Sequence, residues 1–381
     1  MSRLFLFILI NIFFIACQSK EGQIKSPSIN IETKQEVRDD SLALVAAYAA
    51  QDKIQHTVFS AIETNAIHAN SAEDAADDPA IWVNPAEPSK SLIYGTNKKG
   101  GLAVYNLTGD EVGYYPLGNV NNVDIIYDFP FQDSLITILG CSNRSDQSID
   151  LLKIDATGKL QNIATGSLSV DTSLIDDIYG FCFAKDHKTD KSYAIINGKN
   201  GLLQQFELLE GTAGIELELK RSVQFDSQTE GMVADHRYGF LYVGEEGKGI
   251  WKMEISPATG ANKTFIRQSD DSNSNIVYDI EGISIYEKGE EGFLIASSQG
   301  NFSYAVFDRK GNNDYLGSFK IKASKNLDGV EETDGLDIVS DSLSVNFPKG
   351  IIVFQDGFNY NGDRLEPQNF KYVNWAELKF F

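Results

Sequence analysis

The chain has 381 residues, enough for one large domain or two smaller ones. It carries 54 Asp and Glu against 33 Lys and Arg, a formal net charge of −21, and such a field repels nucleic acid and bare anionic surfaces. Three cysteines, with no CxxC and no metal-finger spacing, exclude a zinc-stapled or disulfide-dense fold.

In chain order, Arg3 is followed by the apolar run LFLFILINIFFIA at 4–16, too short to span a membrane comfortably and suited to the core of a signal peptide. Cys17 follows at once. The segment resembles a bacterial lipoprotein signal, with residues 1–16 removed and Cys17 lipidated, although Phe14 stands where Leu is usual. This implies an extracytoplasmic protein held to the cell envelope, with simple secretion as the alternative. Residues 18 to about 40 are polar and read as a flexible tether. Residues 41–52, SLALVAAYAAQD, have helical propensity. The signal, the tether with its helical segment (17–54) and one large domain (55–381) make up the expected organisation.

From about residue 55 the texture is β: short runs of Val, Ile, Tyr and Phe between Gly, Asn and Asp turns. One phrase recurs, polar residues stepping into a strand: DDPAIW at Asp77, NVDIIY at Asn122, IYGFCF at Ile178, TEGMVA at Thr229, IEGISI at Ile280 and TDGLDI at Thr333. The spacing of about 45 to 56 residues suits one four-stranded propeller blade each. A second phrase follows each, a strand ending in a polar, Gly-containing turn: GTNKKGG, GCSNRS, INGKNG, VGEEGKG, ASSQGN and FQDG. Third strands leave most of these turns. The expected fold is all-β, a six-bladed β-propeller of four-stranded antiparallel blades, with the last blade closed by an N-terminal strand near FSAIETNAI.

Equivalent propeller loops converge on one end of the axis, so both phrases deliver side chains to a shared mouth. Its inventory holds the carboxylates of Asp77, Asp78, Glu230, Glu245, Glu246, Asp279, Glu281, Asp334 and Asp356, the cations Lys98, Lys99, Arg144 and Lys199, and the neutral groups of Tyr179 and Gln299. So many like charges must take up protons or bind metal, and oxygen-only ligands favour Ca²⁺ over zinc. The cations need an anion, and metal ions with basic groups around one cavity suit a polyphosphorylated ligand. His56, His68, His187 and His236 lie outside the phrases and read as surface residues. Phosphohistidine, C-x₅-R, P-loop and nucleophile-elbow signatures are absent, which leaves metal-assisted attack by water. A calcium-dependent lactonase or esterase, and a non-catalytic binding propeller, stay open at this point.

The phrases DDPAIWV, TNKKGGLAVY, NNVDIIYDFP, SNRS, SQTEGM, EEGKGIWK, DIEGISIY, ASSQGN, TDGLDI and QNFK resemble, in order, those of the β-propeller phytases best known from bacilli. The resemblance covers nearly the whole chain from about residue 60. It implies a monomeric calcium-dependent phosphomonoesterase acting on phytate or its calcium salt. It implies catalytic-cluster metal ligands at Asp77, Glu230, Glu246, Asp279 and Glu281, with Asp328 (in NLDG) in the place of another ligand; Asp78, from the inventory of the mouth, is a further expected metal ligand. Glu230, Lys98, Arg144, Tyr179 and Lys199 are the implied catalytic set, the last four gripping phosphate, with Lys99 and Gln299 at further substrate-binding positions. Gly247 and Lys248 depart from the family's acidic pattern, which puts one structural calcium contact in question.

Overall fold

The computed structural model describes residues 31–71, 73–165 and 168–381. The proposed signal and Cys17 lie outside the described residues. Two units separate at Leu44–Val45. A helix runs Ile31–Gln51, so it begins inside the stretch read as tether and takes in most of the segment expected to be helical.

The larger unit is a six-bladed propeller. The innermost strands are Ala76–Trp82, Val120–Phe131, Ile178–Asp186, Thr229–Asp235, Ile280–Lys288 and Leu336–Val339, and each pairs antiparallel with the next strand of its own blade. Blade six is completed from the N-terminal side: Ile62–Glu63 pairs with Tyr372 and Lys371, which closes the ring as expected from the sequence. His56–Val58 adds a fifth, parallel strand to blade five, which the repeat pattern did not suggest.

The core is distributed rather than central. Buried apolar residues form clusters that each lie between two neighbouring blades, such as Ile138, Leu151, Phe181, Phe183 and Ile196 between blades two and three. A lone four-stranded sheet would leave both faces wet. Stacking it against a neighbour buries them, and this is why the repeats need one another. Cys141 belongs to the wedge between blades one and two, Cys182 to that between three and four; both are buried free thiols.

Polar links reinforce the wedges. Arg309 and Asp235, both fully buried, make a two-pronged pair at 2.7 and 2.8 Å between blades four and five. Buried carboxylates on inner strands accept backbone N–H groups of adjoining blades: Asp78 from Val123, Asp124 from Phe183 and Asp337 from Ile81, at 3.1, 2.7 and 2.8 Å. The last turn of the helix is fixed to blade five, where Gln51 Nε2 donates to Phe302 O at 2.9 Å.

Candidate active site at the axial mouth

The recurring phrase has a structural cause. In blades one to five the inner strand carries a bulge, with residues 77–78, 121–122, 179–180, 230–231 and 281–282 each opposing a single residue of the partner strand. A bulge re-aims side chains. The first residue of each pair supplies a ring around the axis: Asp77, Asn121, Tyr179, Glu230 and Glu281, completed in blade six by Asp334 just before its strand. The second is Gly in blades three to five, and Gly335 follows Asp334. A Cβ on Gly180, Gly231 or Gly335 would collide with backbone of Glu230, Glu281 or the Asp77–Asp78 pair in the next blade. Glycine here lets the blades close at the mouth.

A second ring comes from the turn after the second strand of each blade. Its members are Lys98, Arg144, Lys199, Glu246, Gln299 and Gly357. They are held by one repeated bond, with their backbone N–H groups donating to the carbonyls of Ala75, Asn119, Asp177, Gln228, Asp279 and Glu331 at 2.7 to 3.2 Å.

These rings surround a cavity of about 530 Å³ lined by Asp74, Lys98, Tyr179, Gln228, Glu230, Glu246, Asp279, Glu281, Gln299, Glu332 and Asp334, among others. Oxygens of Glu230, Glu246 and Glu281 lie within 4.8 Å of one another. Burial raises the carboxyls of Glu230 and Glu281 well above their usual range; Asp77 raises Glu230 further, and Glu230 in turn raises Glu281. Burial also pushes Asp77 and Glu246 each up to about 7. Asp77 Oδ1, Glu246 Oε1 and Glu281 Oε2 are buried without a hydrogen-bond partner. Orphaned acceptors converging in this way match the all-oxygen donor set that a hard divalent cation requires.

Lys98 is the one cationic side chain among these lining residues, with Nζ 2.8, 2.9 and 3.3 Å from Asp74, Asp334 and Asp77. Burial alone would lower its pKa, but the three carboxylates reverse the effect and keep it charged. Gln299 Nε2 donates to Asp334 Oδ1 at 2.7 Å. Arg144 and Lys199 stand to one side, over the ring of Tyr179 at 5.4 and 4.6 Å from its centroid.

The structure therefore brings together Asp77, Glu230, Glu246, Asp279, Glu281, Lys98, Tyr179 and Gln299, with Arg144 and Lys199 joined through Tyr179. It does not bring every expected residue there. Lys99 is exposed and outside the cavity lining. Asp78 turns between blades one and two and bonds Val123 N instead of lining the cavity. Asp328 lies in an adjoining cavity with Glu63, Asn359 and Glu366. There the Lys371 ammonium fills the place of a cation, 2.6 Å from Asp328, 2.9 Å from Glu63 and 3.1 Å from Asp356. Glu245 accepts from Ser227 and from Trp251 Nε1, a packing role. His68, His187 and His236 are exposed and His56 half-buried against Phe380, in keeping with surface positions.

Several residues escaped the sequence reading, among them Asp74, Gln228 and Glu332 of the lining, and two more bear on the site's electrostatics. Asn121 is fully buried and donates to Glu230 Oε1 at 2.9 Å while its Oδ1 accepts from Arg144 Nη1 at 3.5 Å. Framing the second phrase on Asn121 rather than Asn122 would have aligned it with Asp77 and Glu230. Asp177 pairs with Arg144 at 2.6 Å. It sits two residues before Tyr179, as Asp279 sits two before Glu281.

The family model for Phytase matches residues 33–379. A 3-phytase of Bacillus subtilis (strain 168) is 39% identical over 339 residues, covering 88% of this chain and 87% of the relative.

Proposed function

This chain belongs to the phytase family and is a phytate-hydrolysing enzyme, and on that premise we propose that it removes phosphates at the axial mouth with the help of bound calcium. The lactonase and non-catalytic alternatives give way to the family. The observation that carries the site is the convergence of Glu230, Glu246 and Glu281 beside the ammonium of Lys98.

Asp77, Glu230, Glu246, Asp279, Glu281 and Asp334 would hold the cations. Calcium held there would supply charge neutralisation and a more acidic water, the chemistry a phosphomonoester requires of a metal hydrolase. The protein's own part is electrostatic and positional. Lys98, bracketed by fixed carboxylates, presents a positive charge to a phosphoryl group without reorganising. Arg144 and Lys199 offer an edge and a point charge to a neighbouring phosphate of the same substrate. Tyr179 stands between the two places and lines both. Gln299, tied to Asp334, orients that carboxylate. Neither described cysteine is an available thiolate, since both are buried and burial raises their thiols, and the reading proposed is direct attack by water.

Upstream of the helix, lipidation of Cys17 after loss of residues 1–16 would leave a monomeric propeller tethered at the cell envelope. Labelling with a fatty-acid probe in the wild type but not in Cys17→Ser tests this.

Phosphate release from phytate, measured with calcium, with excess chelator and after calcium is restored, tests the reaction. Chelation should abolish release and calcium should restore it. Full activity in chelator would end the metal reading. Folded Glu230→Gln with undiminished turnover would remove the mouth as the site.

A further inference from the structure

Resting on the reading that Arg144 and Lys199 receive a phosphate, we propose that Asp177 is a built-in competing anion that sets the enzyme's preference for polyphosphorylated over singly phosphorylated substrates.

The geometry is that of an occupied anion site. Asp177 Oδ2 lies 2.6 Å from Arg144 Nη2 and 3.9 Å from Lys199 Nζ, and Oδ1 lies 3.4 Å from Arg144 Nε. The carboxylate thus spans the Nε–Nη2 edge of the guanidinium, the same edge that recognises phosphate in two-pronged fashion. A phosphate and Asp177 cannot both hold it. The far side of the carboxylate is anchored, since Gln147 Nε2 donates to Oδ1 at 3.0 Å while Gln147 Oε1 accepts from Ile178 N at 2.8 Å. Gln147 Nε2 also donates to the Arg144 carbonyl at 3.0 Å, so Asp177 is supported independently of the Arg144 guanidinium though not of its backbone.

The groups are neither bulk-exposed nor sealed: side-chain exposure is 27% for Asp177, 28% for Arg144 and 36% for Lys199. Solvent can enter and a ligand can displace the carboxylate. Burial alone would raise the Asp177 carboxyl, but Arg144, Gln147 and Lys199 hold it below its usual value. The corresponding residue of blade four is the neutral Gln228, and that of blade five, Asp279, faces the carboxylate cavity. In blade three this position confronts two cations at one edge of the mouth.

The consequence is selective. A single phosphoryl group must displace Asp177 with nothing else to hold it, or bind at Lys98 alone. A substrate already held near Lys98 delivers its neighbouring phosphate at high effective concentration and displaces the carboxylate readily. Asp177 thus acts on specificity, by penalising ligands with one phosphate.

The test compares wild type with Asp177→Asn, which keeps the shape and the Gln147 contact but removes the charge. Steady-state kinetics with phytate and with p-nitrophenyl phosphate, both with calcium, are paired with calorimetric binding of inorganic phosphate. For the variant, phosphate binding should tighten and KM for the monoester should fall, each by about two- to fivefold, the range set by releasing a partly exposed ion pair. KM for phytate should change less, so discrimination narrows. In Arg144→Ala the same Asp177 substitution should have a much smaller effect on phosphate affinity, since only the 3.9 Å contact with Lys199 remains. Unaltered or weakened phosphate binding in a folded variant, or an equal loss of kcat/KM on both substrates, overturns the proposal and makes Asp177 a buttress for Arg144. A wild type that binds phosphate but releases none from phytate sinks the underlying reading alone, since calorimetry still decides the role of Asp177.

Discussion

Asn121 Nδ2 lies 2.9 Å from Glu230 Oε1, so a fully buried amide from blade two fixes the orientation of the central carboxylate of blade four. Glu230 has its pKa raised by burial first and then by Asp77, while its contacts with Glu281 and Lys98 oppose the rise.

Replacing Asn121 with Ala removes that donor and the acceptor for Arg144 together. Loss of such an outer support typically costs about 10- to 100-fold in metal affinity or activity. The expected result is a drop of that order in kcat/KM for phytate with the far-UV spectrum unchanged, read by phosphate release and circular dichroism. Wild-type kinetics would show that Glu230 needs no such support.

Calcium should stabilise the folded protein as well as activate it. A ligand that binds only the native state at a hundredfold excess over its Kd contributes about 2.7 kcal/mol. Differential scanning fluorimetry should show Tm rising with calcium concentration. Glu281→Gln should blunt that rise while leaving the metal-free Tm level or higher, because it removes one of three crowded carboxylates. A Tm indifferent to calcium would count against a cation in the mouth.

Gly180→Ala should be severe. The new Cβ would meet the Glu230 carbonyl and both amide atoms of Asn197, and the carbonyl belongs to backbone that cannot step aside. Overpacking of this kind costs about 1–3 kcal/mol. Because the clash pushes on the strand that carries Glu230, activity should fall further than chemical-denaturation stability suggests. Gly247→Ala is the control, as nothing lies within 4 Å of its Cβ position.

Without metal, stability should fall as pH rises from about 4 to about 7. Burial pushes Asp124 from its ordinary 3.8 up to about 7, and Asp337 up to about 6. The folded state therefore keeps protons that the unfolded chain releases, and its advantage is full below the ordinary carboxylate range and lost as pH passes through the raised values. Urea midpoints across this range should decline in the wild type and decline less in Asp124→Asn, which can still accept from Phe183 N through Oδ1. Parallel slopes would mean Asp124 does not titrate in this window.

Much of this was legible in the amino-acid order. A phrase repeated at blade spacing gave the number of sheets, and the FSAIETNAI stretch held the closing strand, realised as Ile62–Glu63. Family phrases marked Glu230, Asp279, Glu281 and Lys98, which do meet. Other placements were out of reach. Asp77 and Asp78 are adjacent and chemically identical, yet the bulge sends one to the axis and the other between blades. Asp328 reads like any metal-binding Asp until Lys371, distant in sequence, is seen beside it at 2.6 Å.

The sequence alone determined the architecture and most of the charged groups of the mouth, because strand periodicity, turn residues and repeat spacing are local properties that survive being read in one dimension. Only the tertiary structure decided which carboxylates share a cavity, which are matched by an ammonium and which cation faces Asp177. Those outcomes depend on distances across blades, where a bulge of one residue redirects a charge and burial multiplies its consequences.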